Sequence, residues 1–440
     1  MTGRGAPCDM WRMTAPRRFL FLQGPHGPFF ARLGKGLRAA GAEVWRVGFN
    51  QGDRVFWRGP GYIAFEGAPE DWPDSCAALL DRHQITDLVL YGDTRPIHAG
   101  AILAARARGL TVHVFEEGYL RPYWVTYERG GSNGHSRLMG LTIEEMRAAL
   151  ARPGADHPPA PARWGDMREH VFYGALYHFF VLAMNGRYPR FRPHRAISVA
   201  TEFRLHLRRL LLMPWHRLER RLATRPIRRG AFPYHLVLLQ LEHDASFRAH
   251  SDLPSMADFI TLCLKGFAEG APPHHHLVFK AHPLEDGRVP LRRLIAEGAA
   301  RAGLGGRVHF LRGGKLAPIL DGAASAVTVN STAAQQALYR GLPVKIFGRA
   351  IYDKPEFVSR QPLAAFFAAP KPPDSAAYRD FRQFLLESSQ IPGGFYSARG
   401  RNALLRRIVD LLLAADDPTT TILLPKAARG QQLRVVSTAS

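Results

Sequence analysis

Three short polar motifs follow apolar runs of the chain, and their side chains could carry acid–base and anion-binding chemistry. The motifs are Glu116-Glu117-Gly118, His282-Pro283 and Asn330-Ser331-Thr332. Apolar runs of this length, rich in valine and aromatic residues, are typical of buried strands in a parallel sheet. Ligands of such sheets bind outside the carboxyl ends of the strands, so we expect the motifs to meet at one site. Together they would suit catalysis on an anionic, nucleotide-activated substrate.

The acidic candidates come from two different strand ends. Successive strand residues face opposite ways, so one of Glu116 and Glu117 is expected to point into the site while the other supports it. A carboxyl group there could act as general acid or base toward a sugar hydroxyl. Asp244 follows a second strand and could attack an anomeric carbon or stabilise an oxocarbenium ion. Taken singly, the glutamate pair can equally be a polar loop, and Asp244 the N-cap of a helix.

The basic candidates follow a third strand. Pro283 favours an extended backbone at His282, which would project the imidazole from the strand end toward a phosphate oxygen. Lys280, two residues earlier, is expected to point the same way because strand side chains alternate. A structural His-Pro turn is the alternative for this motif alone.

Asn330, Ser331 and Thr332 lie between a predicted strand and a helix predicted over residues 332–340. Helix N-termini bind phosphate through backbone N–H groups, whereas the hydroxyls would serve equally well as helix caps. The chain has neither a P-loop nor a Gly-x-Gly-x-x-Gly fingerprint. It also lacks an Asp-x-Asp motif, which argues against a metal-held sugar nucleotide, so we expect no metal and no cofactor.

The alternation of apolar runs and amphipathic segments predicts an α/β protein with two Rossmann-like domains facing a cleft, the GT-B arrangement. A basic helical insertion interrupts this pattern, with one helix predicted over 166–184 and another from 202 up to Pro214. The predicted divisions are a loose leader at 1–16, a first domain at 17–150, the insertion at 151–230, a second domain at 231–390, and a C-terminal helix and tail at 391–440.

The chain is strongly basic, with 59 Lys and Arg against 37 Asp and Glu and a formal charge of +22. Such a charge predicts an anionic partner. Arginines interleaved with leucines and Trp215 make the segment 202–229 typical of a membrane-surface element, with a solvated helical face as the alternative. Nucleic acid is not expected, because a groove-reading helix motif and an aromatic–basic strand pattern are missing from the sequence.

The remaining composition bears on the cellular compartment. Three cysteines without paired spacing predict neither a disulfide framework nor a zinc site. The first 18 residues are polar and arginine-rich, without the apolar core of a secretory signal. The longest apolar stretch, 171–184, is too short for a simple transmembrane helix. We therefore expect a protein of the reducing cytoplasm.

Four longer runs carry a family resemblance in addition to the motifs above. They are Phe21-Leu22-Gln23-Gly24-Pro25-His26-Gly27-Pro28-Phe29-Phe30, Asn50-Gln51-Gly52-Asp53, Tyr91-Gly92-Asp93-Thr94-Arg95-Pro96 and Phe115-Glu116-Glu117-Gly118-Tyr119-Leu120-Arg121-Pro122. These runs closely resemble the capsule polysaccharide biosynthesis/export family, within it the S-type β-Kdo transferases. The motif set also resembles that of bacterial sialyltransferases and related CMP-sugar transferases.

The resemblance implies a transferase that moves Kdo from CMP-Kdo to a (lyso)phosphatidylglycerol acceptor and so starts the poly-Kdo linker of a capsule. It also implies a cytoplasmic protein held peripherally on the inner face of the inner membrane. It implies retention of the anomeric configuration, with Asp244 as nucleophile and Glu116 or Glu117 as acid/base. His282, Ser331 and Thr332 would hold the phosphate of the CMP, and the set of expected CMP contacts also includes Lys280, Pro283 and Asn330. The expected contacts to acceptor or sugar, facing the same cleft, are His26, Asn50, Asp53, Arg95 and Gln240.

Two other functions fit the same sequence. One is a different CMP-sugar transferase, such as a sialyltransferase, on the same scaffold. The other is a non-catalytic factor of capsule assembly or export. The intact carboxylates and His282 favour an enzyme over that factor. The expected partners are a CMP-sugar donor, a phospholipid acceptor, an anionic membrane surface and other capsule-assembly enzymes.

Overall fold

The structure is a computed structural model. It describes residues 16–150, 167–192, 211–230 and 232–424, together with residues 201, 204, 205 and 208. Within these residues the chain forms two α/β domains, each built on a twisted sheet that is mainly parallel. The predicted fold class, two Rossmann-like domains facing a cleft, is confirmed. The predicted leader lies almost wholly outside the described residues.

The first domain alternates strands and helices, as the sequence pattern predicts. Its elements are β1 (Arg18–Phe21), α1 (Phe29–Ala39), β2 (Glu43–Gly48), α2 (Gln51–Val55), β3 (Tyr62–Ala64), α3 (Trp72–Arg82), β4 (Asp87–Tyr91), α4 (Pro96–Arg106), β5 (Thr111–Glu117), β6 (Trp124–Arg129) and α5 (Ile143–Ala149). The strand order is β6-β5-β4-β1-β2-β3, and only β6 runs antiparallel to its neighbour β5 among these six. All parallel strands therefore end at the same edge of the sheet.

In the described part of the chain the insertion contains α6 (Met167–Ala183) and α7 (Met213–Arg229), and residues 201, 204, 205, 208 and 211 are also helical. The helix predicted over 166–184 is confirmed as α6, which packs against α2 of the first domain. The predicted end of a helix near Pro214 agrees with the turn at Leu212, but the helix α7 that follows was not predicted, and Pro214 lies in its first turn. Proline is tolerated there since the N–H it lacks has no partner within a first turn.

The second domain repeats the alternation around a smaller sheet. Its elements are β7 (Tyr234–Leu238), α8 (Ala245–Ala249), α9 (Met256–Gly270), β8 (His276–Lys280), α10 (Leu291–Arg301), β9 (Val308–Leu311), α11 (Ala317–Leu320), β10 (Ala323–Thr328), α12 (Ala334–Leu338), β11 (Val344–Ile346), α13 (Leu363–Ala368) and α14 (Ser375–Glu387). The five described strands run parallel in the order β11-β10-β7-β8-β9. All five residues of β7, including His235, are buried, as expected for the central strand of a parallel sheet.

After α14 the chain returns to the first domain. Strand β12 (Gln390–Pro392) pairs with β6 and extends the first sheet to seven described strands. It is followed by α15 (Ala398–Leu413) and α16 (Pro418–Leu423). Leu404, Ile408 and Leu412 of α15 are spaced by four residues and are fully buried in the core of the first domain. The chain therefore passes between the two domains twice, once before β7 and once after α14.

A buried lysine also joins the domains. Lys354, in the second domain, is 5% exposed and its Nζ donates hydrogen bonds to the carbonyls of Leu138 at 2.9 Å, Met139 at 3.0 Å and Leu141 at 2.6 Å. A buried ammonium group with three acceptors is fully satisfied, so this contact fixes the segment between β6 and α5 against the second domain.

Candidate active site

The acidic pair occupies the last two positions of β5. Glu116 and Glu117 stand opposite Thr126 and Val125 of the antiparallel neighbour β6, so their side chains leave opposite faces of the sheet. Glu116 Oε1 accepts a hydrogen bond of 3.0 Å from the backbone N–H of Glu117. Glu117 Oε1 accepts one of 3.3 Å from the hydroxyl of Tyr91. The two carboxylates therefore have different surroundings although they are neighbours in sequence.

Two glycines make room around this pair. A Cβ atom on Gly118 would lie 2.2 Å from the carbonyl oxygen of Trp124, so only glycine lets β5 turn so closely past β6. Gly92 has a φ of +69°, and a Cβ there would lie 3.2 Å from Glu116 Oε2. The end of β4 is thus shaped to admit the carboxylate of Glu116.

Asp244 lies on the opposite wall of the cleft. It occupies the N-cap position of α8, but its side chain accepts no capping hydrogen bond and is exposed. Asp244 therefore stands at a helix-cap position, but its carboxylate does not cap the helix. The side chain is left available for a ligand in the cleft.

The charge of Asp244 acts across the cleft on Glu116. Burial raises the pKa of Glu116, the charges of Glu117 and Asp244 raise it further, and the pKa reaches about 7 despite the hydrogen bond from the Glu117 backbone. The pKa of Glu116 therefore depends on a charge of the second domain. A carboxyl with a pKa near neutrality can both accept and donate a proton at physiological pH.

Gln240 and Asn330 form a buried pair that holds the Asp244 loop in place. Gln240 Nε2 donates to Asn330 Oδ1 at 2.8 Å, and the Asn330 N–H donates to Gln240 Oε1 at 2.9 Å. Asn330 Nδ2 donates in turn to the carbonyls of Ser246 at 2.9 Å and His250 at 3.2 Å. The two residues are 6% and 4% exposed, so the structure gives them a positioning role beneath the loop.

Beside this loop a cavity of about 630 Å³ opens between the domains. Five of the residues expected to contact CMP line it: Lys280, His282, Pro283, Ser331 and Thr332. Asn330, the sixth, lies behind the wall. The opposite wall comes from the first domain through residues 119–122 and Trp124. The motif that carries the acidic pair thus continues directly into the lining of the cavity.

Two basic side chains of the second sheet meet the cavity. Lys280 is 5% exposed, and burial together with the nearby charge of Arg220 on α7 lowers its pKa to about 8. His282 Nδ1 accepts a hydrogen bond of 3.1 Å from the N–H of Leu284. The neutral imidazole therefore carries its proton on Nε2, the nitrogen that can donate to an anion.

The segment after β10 differs from its sequence prediction. The helix predicted over 332–340 is shorter, because α12 spans only Ala334–Leu338. Ser331 Oγ accepts a hydrogen bond of 3.2 Å from the N–H of Ala333 in the turn before that helix. Ser331 and Thr332 therefore line the cavity from a turn that precedes α12.

Three arginines at the cavity were missed as site residues. Arg121, Arg340 and Arg382 line it from the β5–β6 turn, the end of α12 and the middle of α14. Arg121 stands in the motif that begins at Glu116, which was a usable signal. Arg340 and Arg382 follow no local pattern, and only the packing of the helices brings them to one wall.

The expected contacts of the first domain fall into two groups. Asn50 and Asp53 are 0% and 2% exposed, and the structure buries them behind α6 instead of presenting them to the cleft. Asn50 accepts from the N–H of Asp53 and donates to the hydroxyl of Tyr177 on α6 at 2.7 Å. Asp53 accepts from Gln23 Nε2 and from the N–H of Phe49, both at 3.0 Å. They hold α2 and α6 in place.

His26 and Arg95 remain only partly buried. The His26 ring stacks on Tyr177 at 4.3 Å between centroids, which joins the Gly-Pro-His-Gly-Pro loop to α6. Arg95 donates to Gln23 Oε1 at 3.3 Å, and its guanidinium lies 5.7 Å from the centre of the Tyr91 ring. Since Tyr91 bonds Glu117, Arg95 is the expected contact that stays beside the acidic pair.

The match to a family model decides the family. The model, described as capsule polysaccharide biosynthesis protein, matches residues 86–396, which hold the acidic pair, Asp244 and the cavity. The chain belongs to this family. Its curated relatives include the capsule polysaccharide export protein KpsS of Escherichia coli, which is 30% identical over 86% of this chain and 97% of that protein. The capsule polysaccharide modification protein LipB of Neisseria meningitidis serogroup B is 30% identical over 88% of this chain and 93% of that protein.

Solved structures show weaker likenesses. The β-Kdo 2,7-transferase KpsC of Thermosulfurimonas dismutans matches with a TM-score of 0.43 and 12% identity over 90% of this chain and 100% of that chain. MnaA of S. aureus, solved with UDP, matches with a TM-score of 0.32 and 10% identity over 92% of this chain and 99% of that chain. Likenesses of this size say nothing about activity. Family membership therefore assigns the protein to capsule polysaccharide biosynthesis, and the chemistry has to be argued from the site.

Proposed function

We propose that the protein is a glycosyltransferase that moves Kdo from CMP-Kdo to a (lyso)phosphatidylglycerol acceptor. The observation that carries the proposal is that Glu116 and Asp244, from different domains, interact electrostatically, and that the motif of Glu116 continues into the lining of a basic cavity. Membership of a capsule polysaccharide biosynthesis family and the sequence resemblance to β-Kdo transferases support the same choice.

The cavity suits an anionic nucleotide sugar. Its volume of about 630 Å³ lies within the range of roughly 300–1,000 Å³ that is usual for small-molecule sites. Its lining supplies the charges of Arg121, Lys280, Arg340 and Arg382 and the hydroxyls of Ser331 and Thr332. CMP-Kdo carries a phosphate and a carboxylate, and both anions find donors here. These side chains would neutralise the departing CMP, so we propose that the transfer itself needs no metal.

The proposed reaction has two displacement steps. Asp244 attacks the anomeric carbon of Kdo, the bond to the phosphate oxygen breaks, and CMP leaves with the bonding electrons while a ketosyl ester forms on Asp244. A hydroxyl of the acceptor then attacks the same carbon, Glu116 takes its proton, and the ester bond to Asp244 breaks. Two inversions give net retention. The pKa of Glu116 near 7 fits this base role.

The acceptor would arrive from a membrane surface formed by α6 and α7. Exposed apolar side chains project from both helices: Val171, Phe172, Phe179 and Leu182 on α6, and Trp215, Leu218 and Leu222 on α7. Arg217, Arg221, Arg225 and Arg229 form an exposed row along α7, one turn apart. Such a pairing of apolar and cationic side chains suits an anionic bilayer interface. In the described part of the chain, no helix has the length and apolar content needed to cross a bilayer.

The inner face of α7 keeps this surface attached to the donor domain. Glu219 pairs with Arg312 at 3.0 Å and with Arg292 at 3.1 Å, and Ile227 is buried. The next residue, Arg220, reaches the cavity wall at Gly314. At the other end of the cleft, His170 of α6 packs edge-on against Tyr396 at 4.2 Å, near Glu117. We therefore propose a peripheral enzyme on the cytoplasmic face of the inner membrane, acting with other capsule-assembly enzymes.

The deciding experiment supplies purified full-length protein with CMP-Kdo and lysophosphatidylglycerol and follows CMP release and the lipid product. A mono-Kdo lipid is the expected product. Turnover of CMP-sialic acid without turnover of CMP-Kdo would identify the sialyltransferase alternative. No CMP release from either donor, with the lipid present, would favour a non-catalytic assembly or export factor.

A further inference from the structure

A second cluster of polar side chains lies at the junction of the domains, outside the cavity. Asp93 follows β4, His135 ends the short helical turn Asn133–His135 after β6, and His250 follows α8. Each residue offers one ligand atom, and the three atoms lie within 4.8 Å of one another. Two ligands thus come from the first domain and one from the second.

Two members of the cluster are buried with unused hydrogen-bonding capacity. Asp93 is 4% exposed and His250 is 1% exposed. In the described part of the chain, Asp93 Oδ1 and both ring nitrogens of His250 have no hydrogen-bond partner of acceptable geometry. Burying such groups without a partner costs free energy, which a bound cation would recover.

The surrounding structure holds the three groups in position. The N–H of Ser132 donates to Asp93 Oδ2 at 2.9 Å, and His135 Nδ1 lies 3.2 Å from the same oxygen. The rings of His135 and His250 meet edge-on with centroids 4.7 Å apart. A Cβ on Gly134 would lie 2.4 Å from His250 Nδ1, so glycine lets the His250 ring pack directly against the turn that carries His135.

We propose that Asp93, His135 and His250 bind a zinc ion that clips the two domains together. Two imidazoles and one carboxylate are a usual zinc ligand set, with a water molecule in the fourth position. Calcium and magnesium prefer oxygen ligands, and the two nitrogens disfavour them. Ligand atoms of a tetrahedral zinc site lie roughly 3.3 Å apart, closer than the 4.8 Å limit of this cluster. Binding therefore draws the three side chains together.

The zinc ion would hold together the two sides of the cleft, one of which carries Glu116 and the other Asp244. Asp93 directly follows Gly92, which packs on Glu116. Asp244 and His250 flank α8 as its N-cap and C-cap, and Asn330 donates a hydrogen bond to the carbonyl of His250. The zinc would fix the separation of these walls and would not touch the donor, so its role is positioning. The inference rests on the cluster itself and stands whether or not the protein transfers Kdo.

The test uses the full-length chain, stripped of metal with a chelator and titrated with zinc chloride by calorimetry. We expect about one zinc per chain with micromolar or tighter affinity, and a rise of a few degrees in the midpoint of thermal unfolding. Cobalt(II) in the same site should give the visible absorption of a four-coordinate ion. His135→Ala should abolish binding, and because the His135 side chain is 46% exposed this variant is expected to fold. His250→Ala and Asp93→Asn should weaken it at least tenfold.

Two matched variants complete the design. His83→Ala removes a histidine whose ring packs at a tilt against Trp45, and His274→Ala removes one from the histidine run at 274–276. Both should bind zinc like the parent protein. The proposal is overturned if the parent protein binds no zinc at 100-fold excess, if His135→Ala binds it unchanged, or if His274→Ala alone loses it.

Discussion

Burial raises the pKa of Glu116, and the charge of Asp244, which faces Glu116 across the cleft from the other domain, raises it further. Such an interaction weakens with distance, so the two carboxylates lie near each other. Glu117, the direct neighbour of Glu116, instead bonds Tyr91. The electrostatics thus separate two glutamates that the sequence could not distinguish, and they pair Glu116 with the proposed nucleophile.

Asp244→Asn should abolish transfer while leaving CMP binding within about twofold, because the amide cannot form the ketosyl ester but the cavity is unchanged. Steady-state turnover and calorimetric titration with CMP measure the two effects. Asp252→Asn, which changes an exposed acid in the same segment, is the matched control and should remain active. A fully active Asp244→Asn would remove Asp244 from the nucleophile role.

The transfer rate should fall as the pH drops below about 7, because Glu116 must be ionised to take the proton of the acceptor. The measurement is kcat/KM for the acceptor between pH 5 and 9. Glu116→Gln should lose most of the activity together with this acidic limb. Glu117→Gln should retain the limb but shift it to lower pH, because the charge of Glu117 contributes to the raised pKa of Glu116. If Glu117→Gln removes the limb and Glu116→Gln keeps it, the assignment within the pair is reversed.

Glu116 should make folding stability fall as the pH rises, whereas it makes the transfer rate increase. The pKa of Glu116 rises from 4.5 to about 7 on folding, so the folded state holds this proton more tightly than the unfolded state. The stabilisation is complete below pH 4.5 and is lost as the pH rises through 7. Glu116→Gln should therefore unfold at a higher denaturant concentration than the parent at pH 8, with the difference vanishing at pH 4. An equal difference at both values would contradict the pKa shift.

Donor binding should weaken as the pH rises above 8. Lys280 has a pKa of about 8, so its charge is present below that value and is lost above it. Lys280→Met should bind CMP more weakly at pH 7 and show a flatter pH dependence. His282→Ala should raise the KM for the donor about tenfold, the loss expected for one charge-assisted hydrogen bond, with kcat little changed. His309→Ala, outside the cavity lining, is the control; an equal effect there would indicate a general structural change.

Membrane attachment should depend on the outer face of α7. Changing Trp215, Leu218 and Leu222 together to serine should reduce binding to phosphatidylglycerol vesicles at least tenfold, because these exposed side chains would enter the interface. Binding to vesicles of neutral lipid should be weak for the parent protein. Leu103→Ser changes an equally exposed leucine on α4 and should have no effect. Unchanged vesicle sedimentation of the triple variant, or of a deletion of 202–229, would contradict the membrane role.

The link between the domains can be tested at Lys354. Lys354→Met removes the ammonium group that serves three buried carbonyls, so the free energy of unfolding should fall by about 3 kcal/mol. Chemical denaturation measures the change. Lys371→Met alters an exposed lysine and should leave the stability within about 0.5 kcal/mol of the parent. If Lys354→Met lowers the free energy of unfolding no more than Lys371→Met does, the three carbonyl contacts contribute little to stability.

Much of the candidate site could be predicted, since polar residues that end buried strands must lie at one edge of a parallel sheet. This argument brought His282, Ser331 and Thr332 to one cavity. It could not distinguish a ligand contact from a residue that supports the backbone. Asn50, a predicted contact, instead bonds Tyr177 of α6, a partner far along the chain.

The sequence by itself determined the two α/β domains, the order of the motifs and the basic apolar character of the insertion. These are local properties, because periodicity, residue type and charge act over a few neighbouring positions. Only the tertiary structure decided that Glu116 faces Asp244, that α15 returns to the first core and that Asp93, His135 and His250 converge. Each of these depends on how the domains dock, and docking is set by contacts between residues distant in the chain, which no local pattern records.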